Sequence, residues 1–342
     1  MRTLTLRELN RATLARQLLL RRRRMSPVAV IERLAGMQAQ WAPAPYVGIW
    51  SRAAGFRRES LERLVLRGDV LKPTVMRGTL HLVTARDYPI FFAALRDYRW
   101  WSSPEATPLG EAAAPAIRRL YREPLPAAAA LQHLEEMHGV SDEVVRRRSW
   151  YVARVVGHVL HAPDTALWKV APRTRFAAVP EPPVVDVMLA RAELVRRYLA
   201  AFGPATRADI SAWSGMPVRD FAAALETLEP LRRFRDERGR ELLDLRRAPL
   251  PAVDTPAPVR FLPKFDNVLL SFADRTRVLP DELRATVIKG GDVLQTFLVD
   301  GVVAGTWLFE RGRVITEPLG PVPRAAQREL KEEAARLEAF LG

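Results

Sequence analysis

The stretch GPATRADISAWSGMPVRDFAAALETL, residues 203–228, carries the clearest structural signals in the chain. Thr206 is suited to cap a helix in which Ile210 and Trp213 share one face, and Gly215 is suited to end it. A second helix is predicted from Val218 to Leu228, in the position of a recognition helix. Two short strands, Leu231 to Phe234 and Glu241 to Leu245, are then joined through Arg238-Gly239-Arg240, and a helix from Val187 to Phe202 precedes the whole unit. Helices followed by such a hairpin are typical of a winged helix, a helix-turn-helix variant with a β wing.

The same order of elements is predicted twice more, upstream. The N-terminal segment shows helices that begin after Thr5 and Ser26, the first closed by Arg21 to Arg24 and the second ending near Gln38 to Trp41. Further helices, Tyr46 to Ala54 and Leu61 to Arg67, precede a hairpin of Val70 to Met76 and Thr79 to Val83 around Arg77-Gly78. The middle segment has helices from Pro126 to His138 and Ser141 to His161, then a hairpin of Ala166 to Val170 and Thr174 to Ala177. The repeat is one of architecture and not of residues.

Strands dominate beyond a proline-rich linker, Pro249 to Pro258, before a final charged helix from Pro323 to Phe340. The fold class is therefore predicted as mainly α with β wings: tandem winged-helix domains plus a small α+β C-terminal domain. We expect boundaries at residues 1–105, 106–182, 183–250 and 251–342. The predicted C-terminal strands are Val259 to Leu262, Val268 to Leu270, Thr286 to Ile288, Thr296 to Val299, Val302 to Phe309 and Arg313 to Ile315.

Composition restricts the function. The net charge is +14 over 342 residues, which attracts polyanions such as nucleic acid or an anionic membrane, although a general preference for arginine would explain part of it. No apolar run approaches the ~18–20 residues that span a bilayer, so we expect a cytoplasmic, nucleoid-associated protein. The chain has no cysteine, which excludes disulfides and thiolate zinc sites. Its five histidines lack metal-ligand spacing, and we expect neither a metal nor a cofactor.

One short motif stands apart from the solvated polar residues, namely Gln38-Ala39-Gln40 within LAGMQAQW. On an ideal helix, residues two apart diverge by about 200°, so the two amides converge only if the helix ends and the chain becomes extended or 3₁₀. Convergent amides can hold a water and a ligand together, because each offers donors and an acceptor. The alternative is a helix end with two exposed glutamines.

Three blocks, LAGMQAQWAPAPYVGIWSR, VMRGTLHLVTARDYPIF and PKFDNVLLSFADRTRVLP, resemble the AlkZ/YcaQ group of winged-helix DNA glycosylases, and the resemblance extends over essentially the whole chain. In that group a Gln-x-Gln motif, or Gln-x-Asp in the YcaQ branch, marks the catalytic centre. The resemblance therefore implies that Gln38 and Gln40 are catalytic, that the chain belongs with the AlkZ-like branch, and that its partner is double-stranded DNA with alkylated bases. It implies a monofunctional glycosylase, which we expect to be monomeric.

The resemblance also suggests which residues bind DNA. Arg77 and Thr79 would touch phosphates, and His81 would either face the lesion or pack beneath the wing. Asp266 and Asp274 are expected to hold Arg275 and Arg277 in place, in preference to a catalytic role. Trp100-Trp101 end a helix, where tryptophans are more often core or lid than a stacking surface. The DNA-binding candidates are Arg21, Arg22, Arg23, Arg24, Arg77, Thr79, His81, Arg146, Arg147, Lys264, Arg275 and Arg277.

Two other functions stay open at this point. A winged-helix transcription regulator would read the major groove and usually bind as a dimer. A member of the same group without activity would only bind damaged DNA. Three wings in one chain would embrace DNA without dimerisation and no effector domain is evident, which argues against a regulator. The presence of both Gln38 and Gln40 argues against an inactive member of the group.

Overall fold

The computed structural model describes residues 1–169, 172–228 and 230–342. Its N-terminal part has the caps that the sequence predicts: Thr5 and Glu8 form a capping box, and Ser26 caps a helix that starts at Pro27. Its elements are β1 (Thr3–Leu4), α1 (Leu6–Arg16), α2 (Pro27–Arg33), β2 (Met37–Gln38), α3 (Ala44–Arg52), α4 (Arg58–Leu66), β3 (Val70–Leu71), β4 (Thr74–Val75), β5 (Thr79–Thr84) and α5 (Tyr88–Leu95).

Two N-terminal helices end earlier than predicted. Helix α1 stops at Arg16, and Leu18 then adopts a positive φ of 59°, so Arg21 to Arg24 do not close it. Helix α2 stops at Arg33, because Ala35 and Gly36 both have left-handed φ values of 55° and 87°. The residues after this turn are free to pair with a strand.

Strand β5 organises a small sheet in the N-terminal part. Strands β2, β3 and β4 all pair with it in antiparallel register. The predicted hairpin around Arg77-Gly78 is thereby confirmed, with a 3₁₀ turn, Met76–Gly78, at its tip. Strand β2 was not predicted, because a two-residue strand has no periodicity to detect.

The middle segment contains α6 (Ala106–Leu120), α7 (Ala127–His138), α8 (Glu143–Val156), β6 (Val159–His161) and β7 (Phe176–Ala178). The predicted helix from Ser141 to His161 is too long, because the chain turns at Gly157 and His158 into β6. The predicted partner of Thr174 to Ala177 was wrong: β6 pairs with β7, with Val159 opposite Ala178. Val170 lies outside the described residues.

The third unit agrees closely with its prediction. It consists of α9 (Val187–Phe202), α10 (Arg207–Ser214), α11 (Val218–Glu226) and an antiparallel hairpin of β8 (Arg232–Asp236) and β9 (Glu241–Asp244). Thr206 caps α10 in a capping box with Asp209, and Gly215 ends it at φ 81°. Trp213 is fully buried. Strand β1 joins this hairpin by pairing in parallel with β8.

The C-terminal part is built on a four-stranded sheet of order β10-β13-β14-β15. Two strand predictions there were wrong: Val268 to Leu270 is largely a 3₁₀ turn that Asp266 caps, and Thr286 to Ile288 lies mainly at the end of a helix. The elements are β10 (Arg260–Leu262), α12 (Asp281–Val287), β11 (Ile288–Lys289), β12 (Asp292–Val293), β13 (Thr296–Val299), β14 (Val302–Glu310), β15 (Arg313–Pro318) and α13 (Arg324–Leu341).

Helix α1 ties the third unit to the C-terminal part through buried polar side chains. Arg16 and Asp244 form an ion pair at 2.7 Å with both side chains fully buried. Asn10 donates to the carbonyls of Arg277 and Gly301. Removal of either partner of such a pair leaves a buried charge or dipole unsatisfied, so these contacts specify how the parts dock.

Candidate active site

The glutamine motif begins in strand β2, which pairs with β5. Gln38 is opposite His81 in the antiparallel register, and the Ala39 amide donates to the Leu80 carbonyl at 2.7 Å. The strand itself ends at Gln38, and Gln40 lies at a bend just beyond it, where its side chain bonds to Leu80 of the same strand β5.

Hydrogen bonds determine which way both amides face. The Oε1 atom of Gln38 accepts from Nη2 of Arg77 at 3.0 Å, and that of Gln40 accepts from the Leu80 amide at 2.9 Å. The opposite orientation of either amide would place an NH₂ group against another donor. Each amide therefore keeps two N–H donors and one lone pair of its oxygen for a ligand. Gln38 is buried and Gln40 is exposed.

Arg77 connects this motif to the third unit. Its Nη1 atom donates to the Trp213 carbonyl in the last turn of α10. Burial, with the nearby charge of Arg275, lowers the pKa of Arg77 to about 10, so the guanidinium stays charged at neutral pH. Among the ion pairs of the described residues, none involves Arg77.

His81 lies beneath the hairpin and is fully buried. Its Nδ1 atom donates to the Thr79 carbonyl at 3.1 Å. Burial, with the charge of Arg77, lowers the pKa of His81 to about 3, so the imidazole is neutral at physiological pH. Its buried Nε2 atom has no partner among the described residues. The sequence left two positions open for His81, facing the lesion or packed beneath the hairpin, and the ring is packed beneath the hairpin. The neighbouring Thr79 hydroxyl donates to the Met76 carbonyl at 3.0 Å.

Two tryptophans hold the turn that carries Arg77. Trp101 donates from Nε1 to the Gly78 carbonyl at 2.6 Å, yet it is 58% exposed. Trp100 stacks on Tyr98 and packs beside Gly215. A Cβ atom at Gly78 would lie 2.6 Å from the Trp101 ring nitrogen, so only glycine fits.

The C-terminal block, Lys264 to Asn267, packs against the other side of the motif. Asn267 donates to the Gly36 carbonyl at 3.3 Å, and its buried Oδ1 has no partner among the described residues. A small cleft between this block and Gln38 has room for about one water molecule. Sequence reasoning did not select Asn267, since its partner lies 231 positions away.

The predicted partners of Asp266 and Asp274 were wrong. Asp266 forms a buried two-pronged ion pair with Arg52 of α3, at 2.8 and 2.9 Å. Asp274 pairs with Arg238 and Arg240 of the third hairpin. Both aspartates are structural as expected, but they bind other parts of the chain.

Arg275 and Arg277 are therefore held differently from the prediction. Arg277 is buried, donates to the Pro204 carbonyl at 3.0 Å and stacks on Phe272 at 4.1 Å. Arg275 is half-buried, and its buried Nε atom has no partner among the described residues.

The other predicted DNA-binding residues fall into two groups. Some already contact the protein: Arg22 binds Glu333 and stacks on Trp50 at 4.3 Å, Arg146 pairs with Glu135, Arg147 pairs with Glu143 at 2.7 Å, and Lys264 pairs with Asp292 at 2.7 Å. The side chains of Arg21, Arg23 and Arg24 are exposed. Within the described residues, none of these three forms an ion pair, so all three are open to a phosphate backbone.

The described residues include no group of three or more His, Asp or Glu side chains arranged to hold a metal ion. A search of the same residues for a helix with the length and apolar character of a membrane span found none.

Comparison with known proteins identifies relatives over nearly the whole chain. A model of the "DNA glycosylase AlkZ-like" family matches residues 31–340. A protein described as an interstrand DNA cross-link repair glycosylase, from Streptomyces sahachiroi, is 24% identical over 374 aligned residues, which cover 96% of this chain and 94% of that protein. The solved structure of the Streptomyces sahachiroi DNA glycosylase AlkZ aligns at a TM-score of 0.83 and 21% identity, covering 99% of this chain and 97% of that one. The chain thus belongs to the AlkZ-like family of DNA glycosylases.

Proposed function

We propose that this protein excises N7-alkylated purines from double-stranded DNA by directing water to the sugar C1′, with Gln38 and Gln40 as its catalytic residues. The observation that carries the proposal is the pair of glutamine side chains beside β5, each amide oriented by a protein donor. Both amides keep N–H groups free for a water molecule or for the substrate.

Excision of an N7-alkylated purine does not require a strong acid or base, so neutral amides are sufficient. Alkylation at N7 makes the base cationic and hence a good leaving group, so the enzyme needs mainly to place water and to stabilise an oxocarbenium-like sugar. Neutral amides orient a water but do not accept its proton. We therefore expect no excision of ordinary, uncharged purines.

Crosslink unhooking is the second part of the proposal. The curated relative is named for interstrand crosslink repair, and this chain aligns with 94% of its length. An interstrand crosslink through N7 of guanine presents the same cationic leaving group, so the same water attack would release it.

The DNA-binding surface is proposed to consist of three winged helices, at residues 1–105, 106–182 and 183–250, followed by the C-terminal domain. The order of α9, α10, α11 and the β8–β9 hairpin supports this for the third unit. The exposed Arg21, Arg23 and Arg24 are proposed to contact phosphates, which position the duplex without reading its sequence. We propose that the protein acts as a monomer.

The test is excision from a duplex with a single N7-methylguanine, followed by alkali to cleave abasic sites. A parallel sample without alkali tests for lyase activity, and a crosslinked duplex tests unhooking. Gln38→Ala and Gln40→Ala are each expected to lower the single-turnover rate by ~10²–10³-fold, the usual effect of losing one oriented hydrogen-bond donor, with DNA affinity unchanged. The matched control is Gln132→Ala, which removes an exposed glutamine on α7.

The outcomes separate the candidate functions. Alkali-dependent scission by the wild type and the control, but not by the two motif variants, supports the proposal. Tight binding of DNA without scission of either substrate would instead favour a non-catalytic winged-helix protein, such as a transcription regulator.

A further inference from the structure

The geometry points to Arg77 as a positioning residue that orients the Gln38 amide for catalysis, instead of contacting a DNA phosphate. This inference rests on the proposed function of Gln38. It replaces the expectation from the sequence, in which Arg77 was a phosphate contact.

The backbone of Arg77 is held from both sides. The residue has a left-handed φ of 56°, which is uncommon for residues other than glycine and asparagine. Trp101 anchors the neighbouring Gly78 carbonyl, and a Cβ atom on Gly215 would lie only 3.2 Å from the Arg77 Cα. The end of α10 and the tryptophan pair therefore enclose this turn, and strain of this kind is maintained only where the surroundings impose it.

The guanidinium is shared between two neutral oxygens. Nη1 donates to the Trp213 carbonyl and Nη2 to Oε1 of Gln38 at 3.0 Å. A planar guanidinium with both Nη groups engaged holds a fixed direction, which lysine cannot do. The bond occupies one lone pair of the Gln38 oxygen and so turns the NH₂ group of the amide the other way. The orientation of Gln38 is thereby coupled to the third unit.

A phosphate contact would need a different arrangement. Arginines that bind phosphate usually present their paired N–H groups to solvent. Here the two Nη groups already have partners within the protein, and the half-buried cation would have to leave both to reach DNA.

The two roles predict different measurements for Arg77→Met. As a positioning residue, its loss should lower the single-turnover excision rate at saturating enzyme by ~10²-fold, the cost of a misplaced reacting group. DNA affinity and its salt dependence should not change. As a phosphate contact, its loss should weaken binding and reduce the slope of log K against log salt by about 0.9, with the rate at saturation unchanged.

A double-mutant cycle with Gln38→Ala decides between direct and indirect action. If Arg77 acts through Gln38, Arg77→Met should have no further effect once Gln38 is alanine. Independent, multiplicative losses would overturn the inference. Arg328→Met, which removes an exposed arginine on α13, is the matched control and should leave the excision rate unchanged.

A second variant serves as the control for misfolding. Arg77→Gly removes the side chain, and glycine accepts the left-handed backbone without strain. It replaces Arg77→Met if that variant has a lower melting temperature than the wild type. Failure of the proposed function is distinguishable: either the wild type would then excise nothing, or Gln38→Ala would excise as fast as the wild type. A Gln38→Ala variant that is impaired, beside Arg77 variants that excise at the wild-type rate, would refute only the role of Arg77.

Discussion

The rate of excision at saturating enzyme should be independent of pH between pH 6 and 9. Gln38 and Gln40 do not titrate, and the pKa values of His81 and Arg77, which lie beside them, fall outside this interval. With a pKa of about 3, His81 is protonated in roughly one molecule in 1,000 at pH 6. With a pKa of about 10, Arg77 keeps its charge in roughly nine molecules of ten at pH 9. The rate should therefore vary by no more than roughly a tenth.

The lower limit of the interval follows from stability. The folded pKa of His81, about 3, lies below its ordinary value of 6.5, so the unfolded state binds more protons between these values. The free energy of unfolding therefore falls as the pH drops through 6.5, and this histidine alone removes roughly 2 kcal/mol between pH 7 and 5. Circular dichroism at pH 6 should show that the protein is still folded there.

The assay is single-turnover release of N7-methylguanine with enzyme in excess, divided at each pH by the spontaneous loss from the same duplex. That division removes the pH dependence of the lesion itself. Lys72 provides the control, because burial lowers its pKa to about 8, inside the interval. Its Nζ atom donates to the Thr165 carbonyl at 3.3 Å and not to either glutamine. Lys72→Met should therefore leave the profile flat.

Two results would refute this reasoning. A tenfold fall of the rate toward pH 6 or pH 9 would mean that a titrating acid or base takes part in the chemical step. If such a limb lay near pH 8 and disappeared in Lys72→Met, the participating group would be that lysine.

Two further predictions concern stability and DNA binding. Asp266→Ala should lower the free energy of unfolding by ~3–5 kcal/mol in urea titrations, because Arg52 is left as a buried unpaired charge. Adding Arg52→Met should recover part of this loss. An unchanged stability would contradict the buried ion pair. Arg24→Ala should weaken DNA binding and reduce the slope of log K against log salt by about 0.9. Arg22→Ala should instead lower the melting temperature, because Arg22 binds Glu333 and Trp50. The opposite result would contradict the assignment of Arg24 to DNA and of Arg22 to the protein interior.

Local signals in the sequence were sufficient where a short segment contains its own determinants. The third unit was predicted almost completely, since Thr206 and Asp209 form the cap, Gly215 ends the helix and Trp213 faces inward, all within ten residues. Caps and glycine stops act on the nearest turn and need no distant partner. The same reason explains the correct N-caps at Thr5 and Ser26.

The site was predicted only in part. Gln38 and Gln40 were selected from the motif and its resemblance to a known family, but the orientation of their amides depends on contacts with Arg77 and Leu80, about 40 residues downstream. Asn267 was not selected because its contact with Gly36 spans 231 positions.

By itself, the sequence determined the local elements of the third unit, the glutamine motif for which we propose the chemistry, and the family to which the chain belongs. Only the tertiary structure decided that Arg77 binds Gln38 and that Arg22 pairs with Glu333. It also decided that Asp266 pairs with Arg52 and not with Arg275 or Arg277. The physical reason is that an arginine offers the same donors to any carboxylate or carbonyl. Which one it meets depends on how distant segments pack, and no local pattern in the sequence encodes that choice.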